Sequence, residues 1–335
     1  MADRKIIFGN AENEMGKILN NSKNIFITDR KVYGLYKDSL FRNKITIVIP
    51  SGEKAKSLKT AEKLYTKLIE LEADRKTVII GAGGGVVCDI TGFVADTFKR
   101  GTGLILVPTT LLAQVDAAIG GKNGVNFKGF KNIIGSFREP DQVIIDSDFL
   151  KSLDRRNFYN GTAEIIKTSL IYGGELYEKI RLTDLLKCDK TELDKIIRRT
   201  AEVKAEIVKN DVYDKGIRRI LNFGHTIGHA IELSSKNLLH GEAVSMGIVT
   251  ACRISEKLTD FPKTGTKEII KLLKMNLLPA EILDDITPEQ LISSIVQDKK
   301  RESENIEFIL LNNIGEPVIK KIKISDLKEL LNDIC

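Results

Sequence analysis

Tryptophan is absent from this sequence, and aromatic residues make up only 6% of its 335 positions. Lysine and arginine form no sustained tract interleaved with aromatics, so the sequence offers no stacking platform for nucleic acid, although the net charge is +6 and the pI about 8.9. That basic balance suits a small anionic partner instead. Cysteine is scarce as well. Cys88, Cys188, Cys252 and Cys335 are scattered without a CxxC pair, which excludes a disulfide framework or thiolate metal knuckle and points to a reducing compartment. The most apolar stretch, Leu104 to Val115, is interrupted by Pro108 and Gln114 and falls short of a membrane span. Met1-Ala2-Asp3-Arg4-Lys5 carries charge where a signal peptide needs an apolar core. These absences predict a soluble cytoplasmic protein with neither nucleic acid nor membrane as partner. No low-complexity segment argues against a chain folded almost throughout.

The length is large for one hydrophobic core, so two domains sharing a cleft are expected. Short β-branched runs at Asn24 to Thr28, Ile45 to Ile49, Val78 to Gly81, Leu104 to Val107 and Val143 to Ile145 read as buried strands. Between them, Leu58, Ala61, Leu64, Tyr65, Leu68 and Ile69 recur at helical spacing. The fold class is therefore α/β, with a Rossmann-like, largely parallel sheet over residues 1–152. Residues 153–335 form a mainly α-helical second domain, carried by amphipathic stretches such as Leu193 to Lys209 and Gly241 to Lys257. Its late strand, Ile306 to Leu311, is expected to pair with Val318 to Ile322 across Asn312-Asn313.

Gly81-Ala82-Gly83-Gly84-Gly85-Val86-Val87-Cys88-Asp89 follows one of those strands and opens a helix. In that position glycines let backbone N–H groups approach a pyrophosphate. The GxGxxG spacing is not met, because Val86 stands at its third glycine, so a ligand-free tight turn is the competing reading. Ser51-Gly52-Glu53-Lys54 follows another strand and would lie at the same carboxyl edge of the sheet, where open α/β sheets bind ligands.

The chain has only three histidines, His225, His229 and His240, within sixteen residues of one another. His225 and His229 are four apart and share a face of a helix. HExxH is absent, since Thr226 follows the first histidine. A lone histidine is ordinarily a core or surface residue, but this clustering marks a metal site. A carboxylate should complete two of the histidines. Glu164, acidic at an apolar helical start with Lys167 one turn on, and Glu242, two residues after His240, are rivals for the place, and a solvated helix charge is the alternative for either. Lys122, Lys131, Lys167, Lys204 and Arg218 recur beside these segments. Each alone reads as a surface charge, whereas together they are able to hold phosphate and carboxylate groups.

Five ordered blocks, Ser51-Gly52-Glu53-Lys54, Gly83 to Asp89, Pro108 to Asp116, Ala163-Glu164-Ile165-Ile166-Lys167, and Asn222 to His229 followed by His240-Gly241-Glu242, resemble the 3-dehydroquinate synthase family of sugar-phosphate cyclases. The resemblance runs from about Ser51 to Ile248. It implies that Glu164, His225 and His240 hold one divalent metal, Zn or Co, with His229 in the site but outside the metal's ligands. It implies NAD binding through Asp29, Gly52, Glu53, Lys54, Lys56, Gly85, Val86, Val87, Asp89, Thr109, Thr110, Phe149 and Ser152. Lys122, Lys131, Asn132, Lys167, Lys204, Arg218, Asn222 and His229 match substrate-site positions, with Lys122 and Lys131 also counted at the cofactor. Arg100 and Asp116 match further site positions, and Lys299 or Lys300 supplies a late lysine. A homodimer is the assembly the family implies.

The reaction implied is a step of the shikimate pathway, in aromatic amino-acid biosynthesis. It converts 3-deoxy-arabino-heptulosonate 7-phosphate to 3-dehydroquinate and phosphate by transient oxidation with NAD, phosphate elimination, reduction and aldol closure. The substrate's own phosphate is often assigned the base role. The sequence departs from the family pattern at Cys88, where glycine is usual, at Asn123, where threonine is common, and in the loop Val125 to Asn132, which lacks the usual histidine and proline. Another sugar-phosphate cyclase, or a metal-dependent polyol dehydrogenase of the glycerol dehydrogenase type, is the alternative.

Overall fold

The computed structural model describes residues 6–19, 23–235, 237–298 and 304–334. The chain splits into two compact units, Met1–Asp154 and Arg155–Cys335. The first contains strands β1 (Ile6–Phe8), β2 (Asn24–Asp29), β3 (Thr46–Ile49), β4 (Val78–Gly83), β5 (Gly103–Pro108), β6 (Lys122–Phe127), β7 (Phe130–Phe137) and β8 (Gln142–Ile145). Its helices are α1 (Ala11–Ile18), α2 (Arg30–Tyr36), α3 (Leu58–Glu70) and α4 (Gly85–Thr97).

Six strands form one sheet in the order β1-β8-β5-β4-β2-β3, and all its pairings are parallel. The near-continuous apolar runs in the sequence follow from this, because helices cover both faces of such a sheet, although the edge strand β3 leaves Val48 exposed. Phe26, Ile80 and Ile105 are register neighbours on β2, β4 and β5 and belong to one buried core with Val107, Ile144 and Phe149. Since the strands are parallel, their carboxyl ends share an edge. The chain passes from β2 outward to β3 and then returns to β4 on the other side of β2, so the strand order reverses between β2 and β4. Ligands favour that crevice in open α/β sheets.

The segment from Val125 to Asn132, read from the sequence as a loop, is instead the tip of an antiparallel hairpin, β6 with β7. Lys128 and Gly129 form its two-residue turn, with φ of 48° and 86°. Two positive φ values match the twist of a tight hairpin. Glycine, asparagine and lysine dilute the apolar alternation in β6, which is why periodicity does not reveal it.

The second unit contains α5 (Arg155–Tyr172), α6 (Gly174–Ile180), α7 (Lys190–Asn210), α8 (His225–Ser234), α9 (His240–Leu258), α10 (Lys263–Met275), α11 (Pro288–Asp298), β9 (Asn305–Asn313), β10 (Glu316–Lys323) and α12 (Ile324–Asn332). Ile227 and Ile231 of α8, Met246 and Ile254 of α9, Leu291 of α11 and Phe308 and Leu310 of β9 close one core. Strands β9 and β10 pair antiparallel, as expected, but Asn312 and Asn313 lie within β9, and the turn is Ile314-Gly315 with Gly315 at φ +81°. No described helix is long and apolar enough to cross a membrane.

Candidate functional site

In the first unit, parallel pairing gathers most of the sequence-predicted cofactor residues at the carboxyl edge. Asp29 ends β2 and caps α2, accepting from the N–H groups of Lys31 at 2.8 Å and Val32 at 3.2 Å, and from Ser51 Oγ at 2.6 Å. Gly52, at φ +93°, leads into the turn Glu53–Ala55 beyond β3. The glycine turn joins β4 to α4 with no side chain capping the helix, so its first N–H groups face the edge uncapped. A Cβ on Gly83 would lie 2.5 Å from Val87 Cγ2, and one on Gly85 would lie 3.3 Å from the Ala117 methyl. Val86 and Val87 sit in the first turn of that helix. Thr109, whose N–H donates to Gly83 O at 2.9 Å, has its buried hydroxyl without a partner there. Thr110 follows it, with Oγ1 accepting from Ala113 N–H at 3.2 Å. Phe149 packs edge-on against Tyr36, whose hydroxyl is 2.6 Å from Ser152 Oγ. The uncapped helix, the close-packed glycines and the partnerless Thr109 hydroxyl fit a dinucleotide phosphate.

A second group ties the hairpin to that edge. Lys56 makes a largely buried ion pair with Asp89, whose carboxyl burial pushes up in spite of the lysine, with Glu53 and Asp116 adding to the rise. Asn126 bridges these segments: its Nδ2 donates to Glu53 Oε1 at 2.7 Å, its N–H to Lys56 O at 2.9 Å, and its Oδ1 accepts from Asn132 N–H at 2.9 Å. Sequence reasoning did not single out Asn126. Lys122, Lys131 and Asn132 are exposed on the hairpin, and Asp116 lies on a π-helical turn, Ala113–Ala117. Arg100 is not gathered with them. It follows α4, whose 13 residues span about 20 Å, and so lies toward the amino edge of the sheet.

Two of the three departures from the family pattern, Cys88 and Asn123, make local contacts that accommodate them. Cys88 is buried with its thiol toward Gly83 O at 3.7 Å, and burial pushes that thiol well above its ordinary range. Asn123 Nδ2 donates to Gly121 O at 3.0 Å and Arg138 O at 2.8 Å, closing the base of the hairpin.

In the second unit, one face of α5 meets the start of α9. Arg156 pairs with Glu242, Asn160 Oδ1 accepts from Gly241 N–H, and Glu164 faces His240. Helix α8 meets α9 where both backbones are bare. A Cβ on Gly247 would lie 2.1 Å from Gly224 O and 2.7 Å from Gly228 N, so only glycine permits this approach, which carries His225 to His240. The result is a cluster about one carboxylate. Glu164 Oε1 lies 3.5 Å from His225 Nε2 and 3.4 Å from His240 Nε2, while Lys167 pairs with Oε2. Both oxygens of this buried carboxylate lack a hydrogen bond of good geometry.

His225 Nδ1 is 3.2 Å from Phe223 O, and with the proton placed there Nε2 turns its lone pair to Glu164. Burial and Lys167 hold the His225 pKa well below the ordinary imidazole value. Burial alone would raise Glu164, but Lys167, with His225 and His240, holds it well below the usual carboxylate range. Burial opposes charge on His240 too, yet the carboxylates of Glu164 and Glu232 hold it up at about 9. A tetrahedral ion with bonds of about 2.0–2.2 Å separates its ligand atoms by about 3.3–3.6 Å, the spacing seen here around Glu164. The donor set of two imidazoles and a carboxylate fits a zinc-like divalent ion.

Glu242, the rival carboxylate, is occupied elsewhere. It pairs with Arg156 and accepts from Leu239 N–H at 2.8 Å. Lys167, Lys204 and Arg218 are buried rather than solvated, at 1%, 7% and 3% exposure, which removes the surface-charge reading for them. Arg218 lies in the turn Ile217–Asn222, which packs on α5 and α7, and donates to Val212 O at 2.6 Å. Asn222 closes that turn. The His229 ring centroid is 5.2 Å from that of His225. Lys299 and Lys300 lie outside the described residues.

Sequence models of the 3-dehydroquinate synthase N-terminal and C-terminal domains match residues 46–160 and 161–301. The chain belongs to the 3-dehydroquinate synthase family. It is 39% identical over 326 residues to the 3-dehydroquinate synthase of Thermoanaerobacter pseudethanolicus, covering 94% of this chain and 91% of that one. It is 41% identical over 312 residues to that of Clostridium tetani, covering 91% and 83%. Among solved structures it is similar to a 2-deoxy-scyllo-inosose synthase complexed with carbaglucose-6-phosphate, NAD+ and Co2+. There the TM-score is 0.86 at 26% identity, over 98% of this chain and 96% of that one. Membership of the 3-dehydroquinate synthase family accounts for all five sequence blocks at once and displaces the polyol dehydrogenase reading.

Proposed function

We propose that this chain converts 3-deoxy-arabino-heptulosonate 7-phosphate to 3-dehydroquinate and phosphate, with NAD held by the first unit and one divalent ion held by Glu164, His225 and His240. The observation that carries the reading is the placement of two imidazole nitrogens at 3.4 and 3.5 Å from one buried carboxylate oxygen, in a chain of this family. Bound to these units, NAD supplies reversible hydride removal and the ion supplies Lewis-acid polarisation of the reacting hydroxyl.

The chain's own residues then do three things. Glu164 stays ionised and His225 neutral, which keeps them ready as ligands. Lys167, Lys204 and Arg218 hold the substrate's phosphate and carboxylate, where each charge-assisted bond contributes about 1.5–3 kcal/mol. Asn222 and His229 orient its hydroxyls. In the first unit, the amides of Gly85, Val86 and Val87 take the cofactor's pyrophosphate, with Asp29, Gly52, Glu53, Lys54, Lys56, Asp89, Thr109, Thr110, Phe149 and Ser152 around it. Lys122, Lys131, Asn132 and Asp116 serve the substrate side from the hairpin and π-turn, and Arg100 is assigned there by family likeness alone. The same likeness supports a homodimer in the cytoplasm.

Enzyme mixed with a trace of NAD and excess heptulosonate phosphate should release many phosphates per NAD while NADH absorbance stays near its starting value. NADH accumulating in proportion to substrate, without phosphate, overturns the reading. Turnover of another sugar phosphate alone would move the chain elsewhere among the cyclases.

A further inference from the structure

His240 touches carboxylates through both of its ring nitrogens. Nε2 is 3.4 Å from Glu164 Oε1, and Nδ1 is 3.5 Å from Glu232 Oε2. Glu232 lies on α8, seven residues after His225 and three after His229, so one helical face presents His225, His229 and Glu232 together. Its side chain is 16% exposed and that of His240 25%, so their contact is partly shielded from bulk water. From these positions we infer that Glu232 is a positioning residue for the metal centre, accepting the Nδ1 proton of His240 and so fixing the tautomer that turns the Nε2 lone pair toward Glu164. The inference rests on the metal reading given above.

The physical reason is the two-sidedness of imidazole. A neutral ring carries one proton, and whichever nitrogen keeps it is lost as a ligand. A carboxylate at Nδ1 places the proton there, orients the ring and raises the basicity of Nε2. His225 solves the same problem with a backbone carbonyl, Phe223 O. Glu232 is therefore the charged counterpart of that carbonyl. The alternative, in which His229, Glu232 and His240 hold an ion of their own, uses the same atoms, which lie within 4.8 Å of one another.

Zinc affinity of the metal-stripped protein, measured by competition with a chromophoric chelator, tests this in Glu232→Gln and Glu232→Ala, with Glu164→Ala and His240→Ala for reference. Glu232→Ala should bind zinc about 10–100-fold more weakly, the usual loss when an outer carboxylate is removed. Glu232→Gln, whose amide oxygen still accepts from Nδ1 but lacks the charge that raises the basicity of Nε2, should recover only part of that loss, whereas a merely structural role would be restored in full by this near-isosteric side chain. The visible bands of the Co(II)-loaded protein should shift in Glu232→Ala as the His240 ring turns. If Glu232→Ala does not fold, the near-isosteric Gln variant decides alone, by an affinity between those of the parent and His240→Ala. Affinities of both Glu232 variants within twofold of the parent, with Glu164→Ala and His240→Ala stripped of zinc, overturn the inference and leave the metal site standing. Full zinc binding by Glu164→Ala and His240→Ala overturns the metal site itself. Two ions per chain, one of them lost selectively in Glu232→Ala, make Glu232 a ligand and also overturn the inference.

Discussion

Arg156 holds Glu242 by both carboxylate oxygens, Nε to Oε1 at 2.9 Å and Nη2 to Oε2 at 2.8 Å. Glu242 Oε2 also receives Leu239 N–H, so the acid locks the first turn of the helix that opens with His240. This is the work of a cap, and it explains why an acid two residues from a histidine is not among the atoms facing Glu164. Glu242→Ala should destabilise the protein by about 1–2 kcal/mol, the cost of a lost helix cap, yet retain one metal ion per chain. Arg156→Ala should cost about 1 kcal/mol or less, because its side chain is 55% exposed. Urea unfolding and elemental analysis check both, and loss of the metal from Glu242→Ala would restore that residue as a rival ligand.

Glu164→Ala, His225→Ala and His240→Ala should each abolish metal retention and turnover together. Removing one of three protein ligands leaves two, too few to hold an ion after dialysis against a chelator. Full occupancy in any of the three would exclude that residue from the ligand set.

Metal uptake should depend on pH through one proton. In the metal-free protein Glu164 is already ionised and His225 already neutral, whereas His240, held at about 9, carries the proton that a ligand must lose. Zinc affinity should therefore rise about tenfold per pH unit from pH 7 and level off near 9, with about one proton released per ion at neutral pH. The sign for stability is opposite. The folded pKa lies above the unfolded value, so the stabilisation is present below about pH 6.5 and lost as the pH rises through about 9. Chelator competition and unfolding of the metal-free protein across pH 6 to 10 test both trends. A flat affinity profile would show that His240 is neutral before the metal arrives.

Much of this was legible in the sequence, and the parts that were not share a cause. The five main strands stood out because a parallel sheet covered on both faces favours runs of apolar residues, and the histidines because three clustered in a chain that has no others. The hairpin of β6 and β7 escaped notice since Phe127, Phe130 and Phe137 point their rings outward and the buried positions include Asn123 and Gly124. Spacing alone did not choose between Glu164 and Glu242. The choice lies in tertiary contact, with Glu164 buried at the histidines and Glu242 drawn off by Arg156. Glu232 carried a readable signal, the i, i+4, i+7 spacing with His225 and His229, but a glutamate on a helix is ordinarily solvated.

Lys204→Ala and Arg218→Ala should leave metal content unchanged and lower kcat/KM by about tenfold or more, since a well-formed charge-assisted bond contributes about 1.5–3 kcal/mol. Both side chains are buried, so loss of packing must be separated from loss of charge. Lys204→Met keeps the stem and removes the ammonium. If it restores turnover, packing of the stem is what the site needs, the charge is dispensable, and the anion-binding role fails.

Gly247→Ala should break the metal centre without touching a ligand. The added Cβ would sit 2.1 Å from Gly224 O and 2.7 Å from Gly228 N, and both are backbone atoms that have no rotamer by which to yield. Helices α8 and α9 must then move apart, which overpacking data put at about 1–3 kcal/mol. His225 travels with α8 and His240 with α9, so the nitrogens that flank Glu164 separate and zinc affinity should fall by about tenfold or more, as ligand geometry outside the tetrahedral range is costly. Gly16→Ala is the matched control. It lies within α1, no atom comes within 4 Å of the added Cβ, and alanine should stabilise that helix by up to about 1 kcal/mol. Unfolding midpoints and chelator competition on the two variants decide the matter: Gly247→Ala with parental stability and parental zinc affinity would mean that the contact between α8 and α9 does not set the spacing of the histidines.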